Sequence, residues 1–142
     1  MTIDRIRLKN FVVLVAVVVF AFSCNFSTAN LNSLKIGKDR TVSQEADTFS
    51  PNDTVYGVTT VSNNPGKVKV KGHVVIEDVP GQQPGPIPES GKTVDVDGDG
   101  TVTFTFTPPA DGWPKGKYKV EVTMMNEQGE QKDQKTGGFT VS

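Results

Sequence analysis

An antiparallel β-sandwich is the fold class this sequence predicts, and three observations predict it. Apolar and polar residues alternate at period two in run after run; clusters of Gly, Asn, Asp and Pro divide the runs; and no stretch repeats at helical spacing. Seven strands are expected, at 34–38, 54–62, 67–78, 93–97, 101–107, 117–126 and 138–142. Asn63-Asn64-Pro65-Gly66, Gly98-Asp99-Gly100, Asp111-Gly112 and Gln128-Gly129 are the turns between them. Alternation assigns the buried face: Val68, Val70, Val74 and Ile76 on the 67–78 strand, Val102, Phe104 and Phe106 on 101–107, and Tyr118, Val120, Val122 and Met124 on 117–126. The chain has one cysteine, so no internal disulfide assists this packing.

The first strand, 34–38, is short, and the next two, "TVYGVTTVS" and "KVKVKGHVVIED", are rich in β-branched residues. Between 67–78 and 93–97 lies "PGQQPGPIPESG", with four prolines and three glycines, which reads as a stiff irregular loop. No two of these prolines are three apart, so it lacks the PxxP spacing of polyproline ligands. The run "DVDGDG" then places Asp95, Asp97 and Asp99 at alternate positions, as a calcium loop does. Counting from Asp95, the position that needs a bidentate carboxylate holds Phe106, and the flanks are strands rather than helices. A hairpin is the stronger expectation. Inward Val96 facing inward Val102 leaves a three-residue loop, with Gly100 in the left-handed conformation and Asp95 and Asp97 outward beside Thr103 and Thr101.

The first 23 residues read as a secretory signal. Arg5, Arg7 and Lys9 precede a twelve-residue apolar run from Phe11 to Phe22. A membrane-spanning helix needs about 20 apolar residues. "AFSC" (21–24) resembles the bacterial lipobox, which implies acylation of Cys24, and Asn25 after the cysteine implies the outer membrane where a cell has two. Acyl chains contribute about 0.8 kcal/mol per buried CH2, so several together make anchoring permanent. Residues 24–33, Cys24 followed by "NFSTANLNS", are polar and aperiodic and are expected to form a flexible tether, leaving 34–142 as one domain. Without residues 1–23 the chain has 12 basic and 15 acidic residues, a net charge of −3, which argues against nucleic acid as a partner.

"PPADGWPKGKYKV" (108–120) is similar to the corner of bacterial immunoglobulin-like sandwich domains, where a Pro-x-Gly-x-Tyr segment leads into the sixth strand. The resemblance implies that Pro114, Gly116 and Tyr118 build that corner, that the Tyr118 hydroxyl bonds back across it, and that Trp113 caps the core beside them. Such kinship implies a fold and not an activity.

The least ordinary feature is charge placement. Lys67, Lys69, Lys71 and His73 take successive outward positions on one strand, and Lys117 and Lys119 do so on another. In an immunoglobulin-like sheet those strands are neighbours about 5 Å apart, inside a Debye length of about 8 Å, so their potentials are expected to add, with Glu77 and Glu121 on the same outward face relieving part of the repulsion. Two readings stand: an anion-binding face for an acidic glycan, lipid headgroup or acidic protein, or a solvated face whose lysines deter edge aggregation. No nucleophile elbow, metalloprotease motif or phosphate loop is present, and His73 is the only histidine, so neither catalysis nor a cofactor is expected. The expected function is a lipid-anchored, non-catalytic binding module of the cell envelope. Alternatives are an accessory subunit or inhibitor of an envelope enzyme acting through the 80–91 loop, or a calcium-dependent adhesin using Asp95, Asp97 and Asp99.

Overall fold

The structure, a computed structural model, describes residues 28–142. The expected signal segment, Cys24 and the first part of the tether lie outside the described residues. The strands are β1 (Asn30–Leu31), β2 (Lys35–Gly37), β3 (Thr48–Phe49), β4 (Val55–Ser62), β5 (Lys67–Asp78), β6 (Gly85–Pro86), β7 (Lys92–Asp97), β8 (Gly100–Phe106), β9 (Gly116–Met125) and β10 (Gln131–Val141). A 3-10 turn, Pro88–Ser90, separates β6 from β7.

Two sheets pack face to face as a β-sandwich. In the smaller sheet β4 is central, with β8 along one side and β1 and β2 in succession along the other. In the larger sheet the order is β3-β10-β9-β5, and β6 and β7 in succession complete the far edge of β5. All pairs are antiparallel except β3 with β10, which is parallel. Val68, Val70 and Val74 from β5 meet Val102, Phe104 and Phe106 from β8 and Tyr118, Val120, Val122 and Met124 from β9 in one buried core; Ile76 is only partly buried against it. Gly72 sits on the inner face of β5, where a Cβ would lie 2.8 Å from the Phe104 ring. The missing side chain is what lets Phe104 cross the gap between sheets, at a position where alternation calls for an apolar residue.

Among the described residues the strand count is ten rather than seven. All seven expected segments form strands, but three strands of two residues each, β1, β3 and β6, are too short to show any period. β10 also begins at Gln131, well before the expected 138, because its first half, "QKDQKTG", carries no apolar alternation. Its pairing there comes from β9, register against register.

The tether is shorter than expected. Ala29 and Leu31 are buried, and Asn30 and Leu31 pair with Ser62 and Val61. The Leu31 amide donates to the Asp133 carboxylate at 2.8 Å, a contact 102 residues away in sequence. One buried leucine contributes about 1.5–3 kcal/mol, enough to fold a polar segment onto the sheet edge.

The expected β7–β8 hairpin does not form. β7 pairs with β5 in one sheet and β8 pairs with β4 in the other, so Gly98-Asp99 carries the chain from sheet to sheet. The left-handed residue is Gly98, at φ +73°, not Gly100. Asp97 therefore lies across from Lys67 and Asp95 across from Lys69, instead of beside Thr101 and Thr103. Cross-strand pairs of opposite charge contribute about 0.2–1 kcal/mol each, a gain unavailable between aspartate and threonine. The same arrangement leaves Val94, on the inner side of an edge strand, 37% exposed.

Candidate interaction face

The outer face of the larger sheet collects all six residues of the expected basic rows. β5 contributes Lys67, Lys69, Lys71 and His73; β9, its neighbour, contributes Lys117 and Lys119. The register also brings carboxylates among them, and this corrects the expectation that the positive potentials add. Lys69 Nζ lies 3.6 Å from Asp95, His73 Nε2 lies 3.3 Å from Glu121, and Lys119 Nζ lies 3.9 Å from the other Glu121 oxygen. Lys67 faces Asp97, and Lys117 faces Asp78. Lys71 and Lys119 have uncharged cross-strand neighbours on both sides, Thr93 and Thr123 for Lys71 and Val75 and Gly138 for Lys119. The face is a charge ladder in which rows of lysine lie beside carboxylates.

His73 is not the solvated surface residue its sequence neighbours imply. Its side chain is 16% exposed, and Nδ1 is buried with no hydrogen-bond partner. Among the described residues no three metal-binding side chains converge. The three aspartates of "DVDGDG" are separated: Asp95 reaches Lys69, Asp97 faces Lys67, and Asp99 accepts the Asn64 amide at 2.8 Å.

Asn64 and Asp99 clamp one end of the sandwich. Asn64 Nδ2 donates to the Gly98 carbonyl at 2.7 Å, Asn64 Oδ1 accepts from the Gly66 amide at 3.2 Å, and Gly98 donates back to the Gly66 carbonyl. The Asn126-Glu127-Gln128-Gly129 turn belongs to the same end, where Lys67, Lys69, Asp95, Asp97 and Glu127 line a shallow depression. The Asn-Pro-Gly turn signals a bend in sequence, but nothing local identifies Asp99 as its partner.

The opposite end is the aromatic corner. The Tyr118 hydroxyl donates to the Pro114 carbonyl at 2.5 Å, and Trp113 Nε1 donates to the Asp53 carbonyl at 2.9 Å. Trp113 packs edge-on to Tyr118 with centroids 6.0 Å apart, and Tyr118 stacks on Phe139 at 5.3 Å. Burial raises the Tyr118 pKa above its ordinary value, which keeps the hydroxyl protonated as a donor. Gly116 holds φ +151°, and a Cβ there would stand 2.5 Å from the Asp78 carbonyl oxygen, so the corner admits no side chain at that point.

A groove of about 650 Å³ runs between this corner and the 80–91 loop, with Ile76, Pro84, Pro86, Ile87, Pro109 and Trp113 on its walls. The loop is held at two points. Ile87 donates to the Val74 carbonyl, and the Ser90 hydroxyl accepts from the Val74 amide while donating to the Ile87 carbonyl. Pro84, Pro86 and Pro88 also remove alternate donors from this stretch of sheet edge, which disfavours pairing with a further strand.

No family model matches the chain, and no curated protein sequence matches it. Solved structures do resemble it in fold. A β-glucosidase of Erythrobacter marinus matches with a TM-score of 0.50 at 12% identity, over 81% of this chain and 15% of the enzyme. A β-glucosidase involved in saponin metabolism from intestinal bacteria matches with a TM-score of 0.51 at 16% identity, over 82% of this chain and 16% of the enzyme. A CARDB domain from Pyrococcus furiosus, solved with two metal ions, has a TM-score of 0.45 at 17% identity, over 82% of this chain and 91% of that domain. The chain thus spans about 15% of the length of the two enzymes. At such identities the likeness concerns the sandwich alone.

Proposed function

We propose that the chain is a non-catalytic, lipid-anchored protein of the cell envelope that displays one immunoglobulin-like domain as an interaction module. The signal-like first 23 residues and Cys24 support the anchor, and Asn25 supports the outer membrane where there are two. The observation that carries the binding role is the charge ladder. Two rows of lysine lie beside carboxylates on a three-strand surface, with Lys69 paired to Asp95, Lys119 to Glu121, and Lys67 facing Asp97. Such a pattern of opposite signs selects partners and contributes more to specificity than to affinity. An acidic partner, glycan or protein, engages Lys71 and its row by exchanging contacts with the flanking carboxylates.

Photo-crosslinking in cells, with the probe at Lys69 or Lys119 of the acylated chain, tests this. A discrete adduct that disappears when Lys67, Lys69 and Lys71 are changed to Gln supports the ladder as the binding face. Absence of any adduct from both positions refutes it. The groove beside the 80–91 loop favours a second reading, an accessory subunit or inhibitor of an envelope enzyme. Shortening the loop removes the partner under that reading and leaves the Lys69 adduct unchanged.

A further inference from the structure

We propose that the Asn64–Asp99 end of the sandwich is a membrane-facing surface, seated on the lipid headgroup layer, and that the aromatic corner is the end held away from the bilayer. The inference rests on acylation of Cys24 and adds which surface the bilayer covers. Its first support is where the described chain begins. Thr28 Oγ1 donates to the Asn63 carbonyl at 2.9 Å, and Asn63 Nδ2 donates to Asn30 Oδ1 at 3.0 Å, so the chain enters the domain at the tip formed by the β4–β5 turn. Cys24 lies four residues before Thr28. An extended chain covers at most about 3.6 Å per residue, so the Cα of Thr28 stays within about 14 Å of the Cα of Cys24.

The far end is out of that reach. β5 runs the length of the domain from Lys67 at the tip to Asp78 at the corner. At about 3.3 Å per residue its twelve residues separate the two ends by about 36 Å.

Charge does not separate the two ends. At the tip Lys67, Lys69 and Lys132 are outnumbered by Asp95, Asp97, Asp99, Glu127 and Glu130, and around the corner Lys115 and Lys117 are outnumbered by Glu77, Asp78, Glu89 and Asp111. The Asn63 and Asn126 side chains are engaged within the turns, with Asn30 and Glu130. The short span between Cys24 and Thr28 is what assigns the tip to the bilayer. Val94 is the one large apolar side chain exposed among the described residues, so the tip rests on the headgroups and does not insert.

The test uses the full acylated chain in vesicles of phosphatidylethanolamine and phosphatidylglycerol that carry a headgroup nitroxide. Single thiols are introduced and labelled with a fluorophore: Asn126→Cys and Glu127→Cys at the tip, Gln82→Cys and Lys115→Cys at the far end, Thr103→Cys on the smaller sheet. Acylation blocks the native thiol, so each variant carries one label. Quenching several-fold stronger at 126 and 127 than at 82, 115 and 103 is expected. Lengthening the leash by twenty Gly/Ser residues after Asn25 is expected to abolish that difference while the protein still floats with the vesicles. Flotation with equal quenching at both ends, or with strongest quenching at 103, overturns the orientation alone. Failure to float overturns the acyl anchor and the orientation with it.

Discussion

The two ends of the sandwich are closed by different physics. At the corner, Trp113 packs edge-on to Tyr118, Tyr118 stacks on Phe139, and Phe49 is edge-on to Phe139 at 5.3 Å. At the tip, Asn64, Gly66, Gly98 and Asp99 exchange hydrogen bonds with almost no apolar area. Stabilisation by burying an aromatic is roughly proportional to the apolar area removed from water and is non-directional. A net hydrogen bond contributes about 0.5–1.5 kcal/mol and depends on every partner being present. The difference teaches that a sandwich of this size concentrates its stability at one end and its geometric definition at the other.

The sharpest way to break the comparison is at the corner. Trp113→Ala is expected to destabilise the fold by about 3–5 kcal/mol, read as a fall in the urea midpoint at constant slope. Next is Asn64→Ala, which leaves the Gly98 carbonyl and Gly66 amide without their partner. A loss of about 1–3 kcal/mol is expected, with chemical-shift changes confined to the tip. Tyr118→Phe keeps the stack and removes only the bond to Pro114, so about 1 kcal/mol is expected. If Asn64→Ala costs more than Trp113→Ala, the division between the ends is wrong.

Acid acts on both ends. The Ser50 amide, followed by Lys38, lowers the Asp53 pKa from its ordinary 3.8, and Lys132, then Asn126, lowers that of Glu130 from 4.5. A carboxylate whose folded pKa is depressed adds stability that is complete above its unfolded value and lost as pH falls through the folded one. Thermal melts are therefore expected to be flat with respect to these groups above pH 4.5 and to decline below 3.8, with Asp53→Asn shallower in its decline than the parent. The smallest effect is expected at the ladder. Asp95→Asn breaks an exposed pair and is expected to cost under about 0.5 kcal/mol, with the difference vanishing in high salt.

Much of the core was legible in the sequence because alternation is local: Val68, Val70, Val74, Val102, Phe104, Phe106 and the β9 series are all buried where period two puts them. Which strands pair was not legible. β7 and β8 are adjacent in sequence with a glycine turn between them, the ordinary signature of a hairpin, yet they belong to different sheets. That choice decides the electrostatics of the candidate face. Paired with β8, β7 would have left Lys67 and Lys69 without facing carboxylates; paired with β5, it brings Asp97 and Asp95 to them. Leu31 was hidden for a similar reason, since its partners Val61 and Asp133 lie 30 and 102 residues on.

The parallel pairing of β3 with β10 has a mechanical consequence. Thr28 is fixed at the tip, whereas Ser142 is fixed at the corner, where its amide donates to the Phe49 carbonyl at 3.0 Å. Tension applied between the two termini runs along the strands. The ladders of β10 with β3 on one side and β9 on the other are then loaded in shear, many bonds sharing the force, rather than unzipped one at a time. A domain loaded in that direction resists extension far better than one pulled across its strands.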